Sequence, residues 1–472
     1  MSAKPILILQ MQRMGDLILS FPLFLWLQRQ HPGHPLWVVG EPRFYEALLP
    51  LSPTATYFPW AAADQVRRTA FILCVNLSHE RTAAALAGEV QAEEHIGPFQ
   101  SADGVRRIHG RWQLYRTGLV HANRHNRFHW ADLNALDCIP LPWIATTRWP
   151  EPRTSLGDRR RIGLFLGASE PAKRPNIRFW VDLTRELLHR DLRPILLGGP
   201  AERSVAATVQ KQVGQHVLNL ADRLTLAQIA NLGQSLELLV TPDTGPMHLA
   251  AWTGLQVLNL SLGPVNPWET GPYQPGHFVL QARISCAGCW GCSASKSRQT
   301  QRCHEHFLPR RVAQLVHALA GSKGRSGDKP RTADGNLYIS TRTSEGLYRL
   351  SRLLPDNISS SSREMLDEFW SLFWGGSFGL WDREKPRSAW QKLGHAYPAL
   401  TEAFVVFLLD FHRQLRRAKD EAFWRQGPPM LRPLYSQAHL ILQNDDFSRK
   451  SEQHVLTMTE ELLHIAAQEK RP

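Results

Sequence analysis

Short apolar runs separated by stretches of helical spacing set the pattern of the first two-thirds of the chain. Residues 6–9 (Ile-Leu-Ile-Leu) read as a strand covered on both faces, because a strand buried between helices loses the polar alternation of a half-exposed sheet. A helix is expected over 17–30, stopped by His31-Pro32-Gly33, with further strands at 36–39 and 71–75. Residues 148–161, with Pro150, Pro152 and a closing run of arginines, read as a link, after which the series repeats. Strands are expected at 162–166, 194–199, 217–219, 236–240 and 256–260, with a helix at 179–188 between the first two. Two such series predict an α/β fold of two Rossmann-like lobes, 1–150 and 151–320, the second closed by a helix at 307–319. The Gly/Ser/Lys/Arg stretch from 321 to 336 reads as a linker. Helical spacing at 363–374, 400–423 and 452–467 predicts an appended α-helical domain over 337–472, with the very apolar 400–411 in its core.

Composition narrows the class. A chain of 472 residues, 43% of them hydrophobic, has the material for two or three cored domains. The one long apolar stretch near the start, 17–27, is broken by Ser20 and Pro22 and is shorter than a bilayer span, so the expected location is the cytoplasm. A net charge of +13 points to an anionic partner. The excess sits forward: 33 Lys and Arg against 23 Asp and Glu precede residue 321, and 22 against 19 follow. Such a surface also suits peripheral contact with an anionic membrane face. No dense Lys/Arg run with interleaved aromatics appears, so nucleic acid is not expected.

Three stretches carry candidate chemistry. Residues 238–254 read as buried strand, polar turn and short helix, with Pro246 placed for the first helical turn and Gly254 for its close. The unpaired N–H groups and positive dipole end of such a helix form an anion site, and a diphosphate fits it. The plain alternative is an ordinary turn capped by Asp243 or Thr244. Asp16, after the first strand, reads either as a helix N-cap beside Gly15 or as a carboxylate aimed into a cleft at the strand's carboxyl end. The turn from Gly167 to Arg174 offers Ser169 and Lys173 to phosphate oxygens. Residues 104–130, rich in Arg, His and aromatics, read as a solvated face or as a surface for an acidic saccharide. Cys286, Cys289, Cys292 and Cys303 cluster as metal ligands do, and four thiolates suit a structural tetrahedral zinc or iron; reduced thiols in a surface loop are the alternative.

Thr-Pro-Asp-Thr-Gly-Pro-Met-His-Leu-Ala-Ala (241–251), followed by Leu-Asn-Leu-Ser-Leu-Gly-Pro (258–264), resembles the nucleotide-sugar motif of family 9 glycosyltransferases, the ADP-heptose:lipopolysaccharide heptosyltransferases and their relatives. Arg-Met-Gly-Asp-Leu-Ile-Leu-Ser-Phe-Pro-Leu (13–23) resembles the amino-terminal motif of the same family, and Ile96-Gly97-Pro98 falls where the family has a turn. The resemblance runs from about residue 4 to 320 and implies a GT-B architecture of two lobes facing one cleft. It implies Asp16 as catalytic base, with Ser169, Lys173, Asp243, Thr244, Gly245 and His248 on the donor. Glu202 would meet the nucleoside, and the cysteine segment would correspond to a metal-holding finger found in an autotransporter-modifying subgroup. Ala168, where the family often has a second hydroxyl, departs from the pattern, as do Cys292 and the long gap to Cys303. The implied activity is inverting transfer of a heptose from ADP-heptose, without a catalytic metal, to a hydroxyl of an acidic or lipid-linked glycan. A protein acceptor, or a non-catalytic nucleotide-sugar-binding scaffold, is the alternative.

Overall fold

The computed structural model of the protein describes residues 3–156, 158, 160–288, 301–321, 335–353, 360–415 and 421–467. Among these residues the first lobe is a six-stranded sheet of β1 (Ile6–Leu9), β2 (Leu36–Gly40), β3 (Thr56–Pro59), β4 (Ala70–Asn76), β5 (Gln91–Gln100) and β6 (Arg106–His109), in the order β3-β2-β1-β4-β5-β6. All neighbours are parallel except β5 and β6. The apolar run Ile6–Leu9 lies at the centre, fully buried, as its lack of alternation requires.

The second lobe repeats the scheme with β7 (Arg161–Phe165), β8 (Arg193–Leu197), β9 (Leu218–Asn219), β10 (Leu238–Pro242), β11 (Val257–Ser261) and β12 (Phe278–Ala282). Their order is β12-β11-β10-β7-β8-β9, all parallel. In both lobes the strand order reverses beside the first strand, between β1 and β4 and between β7 and β10. Open α/β sheets bind ligands at that crevice, beyond the carboxyl ends of the strands.

The chain departs from the expected elements in four places. The helix expected over 17–30 is two, Met14–Ile18 and Phe21–Gln30. Pro22 has no N–H for the Ile18 carbonyl, so one continuous helix would lose a bond and gain a clash. Ser20, at the break, donates to the Asp16 carbonyl at 2.9 Å. Ile96-Gly97-Pro98 is not a turn but part of β5, where Gly97 at φ +94° bends the strand from its pairing with β4 to its pairing with β6. A Cβ there would strike the Asn76 carbonyl, so only glycine fits.

The extension expected to be helical opens as a hairpin, β13 (Gly335–Arg342) and β14 (Tyr348–Arg352), added antiparallel to β12. Its helices then pack on the first lobe, and one core runs through Ile6, Trp26, Tyr115, Phe128, Phe369, Trp370, Trp374 and Phe404. Finally, the helix Pro398–Gln414 is only half interior. Phe404, Leu408 and Phe411 are buried, while Val406 stays 64% exposed and Phe407 41%. No helix among the described residues is long and apolar enough to cross a membrane. Most of the stretch read as a linker, 322–334, lies outside the described residues.

Candidate active site

Four strand ends meet across one cavity of about 910 Å³ between the lobes. It is lined by Asp16 from the turn after β1, Ser169 and Lys173 after β7, Glu202 after β8, and Asp243, Thr244, Gly245 and His248 after β10. That volume is in the range of small-molecule sites.

The lobes touch where the helices Met14–Ile18 and Gly245–Trp252 meet. A Cβ on Gly245 would collide with the Met14 methyl, and one on Gly15 would lie 3.2 Å from His248 Cδ2. The two glycines therefore let two helix starts close on each other. Further back, buried side chains tie the lobes together. Asn266 Nδ2 donates to the carbonyls of Asn123 (3.0 Å) and Asn126 (2.9 Å). Glu269 accepts from the side chains of Asn123 (2.7 Å) and Asn126 (3.0 Å), and burial pushes its carboxyl up to about 8. Tyr273 donates to Asp132 at 2.6 Å.

The turn after β10 carries positive character. Pro246 takes the first turn of Gly245–Trp252, and Gly254, at φ +79°, ends the segment. Thr244 is the N-cap but makes no side-chain cap bond, which leaves the helix start open towards the cavity. Nor does Asp243 cap it. Asp243 is buried, and its Oδ2 holds Lys173 Nζ at 3.3 Å and accepts from Thr270 Oγ1 at 3.3 Å. The Asp243 carboxylate raises the Lys173 ammonium above its ordinary range, so that charge is secure at neutral pH. His248 is buried, and desolvation holds its imidazole down to about 4, so it is neutral there. Its Nε2 lies 3.7 Å from Asp243 Oδ1, and its buried Nδ1 has no hydrogen-bond partner among the described residues.

The Lys173 turn is braced from three sides. Arg174 Nε donates to the Ala168 carbonyl at 2.5 Å, Gly263 lies against the Ala172 carbonyl, and His304 Nε2 is 3.0 Å from that same carbonyl. Arg13 Nη1 reaches across from the first lobe to donate to Ser169 Oγ at 2.9 Å. Glu202 turns its Oε2 back to accept from the Gly199 N–H at 2.9 Å and lies against Gly167 and Gly198. It caps its own turn while lining the cavity.

The turn after β1 is of different character. Arg13, not Asp16, is the N-cap residue of Met14–Ile18, so Asp16 sits half-buried in the first turn and faces the cavity instead of closing the helix. Burial raises its pKa above the ordinary 3.8, with the Asp243 charge adding to the rise, while Arg116, Lys173 and Arg13 oppose it. Arg116 is buried on the helix Arg111–Gly118, donating to the Leu77 carbonyl at 2.9 Å with its guanidinium 4.4 Å from the Trp130 ring centre. Desolvation lowers it to about 10, so it stays cationic beside Asp16.

Thr270 and the electrostatic effect of Arg116 on Asp16 are absent from the sequence reading. Arg116 belongs to the stretch 104–130, of which Arg106, His109, Arg111, His121 and Arg124 are exposed, as on a solvated face. Trp112, Tyr115, Arg116, His125 and His129 are buried, and the extension docks there, with Trp112 on Phe378 and His125 Nδ1 2.6 Å from Asp367 Oδ1. Of the four clustered thiols, Cys286 is exposed and Cys303 half-buried, while Cys289 and Cys292 lie outside the described residues. Among the described residues no group of three or more His, Cys, Asp or Glu side chains is placed to hold a metal ion.

Residues 139–298 match the model of glycosyltransferase family 9 (heptosyltransferase). This stretch is similar to that family. It contains the Lys173 and Asp243 turns, while Asp16 precedes it. The chain is 25% identical over 213 residues to lipopolysaccharide heptosyltransferase 2 of Salmonella typhimurium, covering 41% of this chain and 58% of that protein. It is 30% identical over 155 residues to lipopolysaccharide heptosyltransferase 1 of Pseudomonas aeruginosa, covering 30% of this chain and 42% of that one. The matches thus span about half the length of these curated relatives. Two solved structures share the family 9 fold with a TM-score of 0.50: a family 9 glycosyltransferase from Veillonella parvula and the ADP-heptose lipopolysaccharide heptosyltransferase II of E. coli. Identity is 16% and 19%, and each alignment covers 68% of this chain and 98% or 100% of the other.

Proposed function

We propose that the protein is an inverting glycosyltransferase that moves a heptose from ADP-heptose to a hydroxyl of an acidic glycan. One observation carries the reading: eight residues assigned to base and donor, from four separate turns, line the same cavity. Chance packing has no reason to bring these turns together.

In this mechanism the donor's diphosphate lies over the open start of Gly245–Trp252, with Lys173 and Ser169 on its oxygens. Asp243 fixes Lys173 and orders the turn through Thr270. Asp16 takes the proton from the acceptor hydroxyl as the new carbon–oxygen bond forms. The bond to the diphosphate breaks on the opposite face, inverting the anomeric centre, and ADP leaves with the electron pair. The charge on ADP is met by an ammonium and by fixed dipoles that need no rearrangement at the moment of reaction. Proton removal by a positioned carboxylate contributes about 10²–10⁴-fold. The raised Asp16 pKa makes it a stronger base once ionised, and Arg116 favours the ionised form. Neutral His248 offers a hydrogen bond without adding charge.

The test is ADP release from ADP-heptose in the presence of a lipopolysaccharide-core saccharide. Asp16→Asn should abolish release while leaving ADP-heptose binding in place. A scaffold that merely binds the donor would show no release in the wild-type protein either.

A further inference from the structure

A second cavity, of about 530 Å³, opens where the extension meets both lobes. Six arginines line it: Arg124 and Arg127 from the first lobe, Arg283 from the second, Arg349 and Arg352 from the hairpin, and Arg363 from the helix Ser362–Ser377. Among the described residues of the lining, only Glu364, Asp367 and Glu368 oppose them. Two of the guanidinium groups converge on a single acceptor, since Arg124 and Arg363 both donate to the Ser285 carbonyl at 3.0 Å. Holding like charges this close is unfavourable unless an anion joins them.

The carboxylates do not discharge the cluster. Arg352 pairs with Glu364 at 3.4 Å and Arg363 with Asp367 at 3.7 Å, while Arg127 is only 4.0 Å from Glu368. The Nε atoms of Arg127 and Arg352 are buried with no hydrogen-bond partner among the described residues. Arg283 and Arg349 are exposed at the rim, and their guanidinium groups have no ion-pair or hydrogen-bond partner among the described residues. Between the arginines the wall carries neutral hydrogen-bonding side chains, Asn336, Ser351 and Ser362, and the rings of Trp268 and Tyr338.

We infer that this cavity binds a phosphorylated sugar at a site separate from the donor cavity. Planar guanidinium forks match phosphate oxygens two at a time, the volume fits a monosaccharide bearing phosphates, and the neutral donors and rings suit its hydroxyls and faces. The short helix Pro267–Thr270 joins the two sites, with Trp268 in the arginine cavity and Thr270 on Asp243 in the other. The extension supplies more than half the lining, which gives it a role the two lobes cannot fill alone. This inference does not depend on the donor reading.

Calorimetric titration of the full chain with glucose 1,6-bisphosphate, inorganic phosphate and ADP tests it. The bisphosphate should bind the wild-type protein, more tightly than inorganic phosphate, and ADP should not displace it. Arg283→Gln/Arg349→Gln, at the exposed rim, should weaken bisphosphate binding at least tenfold with ADP binding unchanged. The lysine pair Arg283→Lys/Arg349→Lys should recover part of the affinity, because it keeps the charge and loses the fork. No bisphosphate binding at millimolar concentration, equal affinity in the Gln variant, or displacement by ADP would overturn the site. Equal affinity for inorganic phosphate would overturn its specificity for a sugar. Failure of ADP to bind would count against the donor reading alone.

Discussion

The turns after β1 and β10 are built alike and present different groups to one cavity. Each ends a buried central strand, opens a short helix and stands at the switch point of its sheet, and a glycine in each lets the two helices meet. After β10 the helix start faces the cavity uncapped and a lysine is held beside it. After β1 the corresponding position holds a carboxylate with a raised pKa, backed by a buried arginine. Under the proposed function, the same backbone device receives negative charge in one lobe and supplies it in the other. Two copies of one architecture line one cavity with different chemistry by a change of a few side chains.

Removing the carboxylate breaks that asymmetry most severely. Asp16→Asn should lower kcat by about 10²–10⁴-fold with little change in ADP-heptose affinity, measured as ADP release and by calorimetry. Lys173→Met should cost about 10²–10³-fold in kcat, as loss of one donor to a developing oxyanion does. It should weaken donor binding as well, since the ammonium meets the diphosphate before and during reaction. The pH profile sharpens the contrast further. As the proposed base, Asp16 would act ionised, and its pKa is raised, so kcat/KM should fall on acidification at a pH above that of an ordinary aspartate. His248, held near 4 by burial, should add no inflection between pH 5 and 8.

The smallest effect concerns the tie between the lobes. Glu269 titrates near 8 in the folded protein and near 4.5 when exposed, so the folded state keeps a proton that the unfolded chain releases. Its contribution is fully present below about 4.5 and is lost as pH rises through about 8. The melting temperature should therefore decline between about pH 4.5 and 8 and level off above, by about a few degrees, and Glu269→Gln should flatten that slope.

What was legible in the sequence follows from how local each cause is. The central strands show as unbroken apolar runs because burial on both faces writes itself into consecutive residues. Asp243 to His248 and Asp16 were found because strand, turn and helix start lie within a dozen residues. Strand β5 was missed because Gln91-Ala-Glu-Glu-His carries few strand-forming side chains and is held in place by its partners β4 and β6. The hairpin of β13 and β14 was hidden for a related reason: it is an added edge whose partner, β12, precedes it by some fifty residues. The arginines and histidines of 104–130 looked exposed because charge usually is. The burial of His125, and of Trp112 and Tyr115 near it, depends on Asp367, Phe378 and Trp374, more than two hundred residues away in the chain. Arg116 escaped notice as a neighbour of Asp16 because only the folded lobe brings the two together.

The contrast between the two turns is tested most directly by titrating ADP into the wild-type protein, Lys173→Met and Asp16→Asn. ADP should bind the lysine variant at least tenfold more weakly than wild type, and the aspartate variant at least as tightly as wild type, since that change removes a negative charge facing the diphosphate. Equal loss in both variants, or undiminished binding in the lysine variant, would contradict the account.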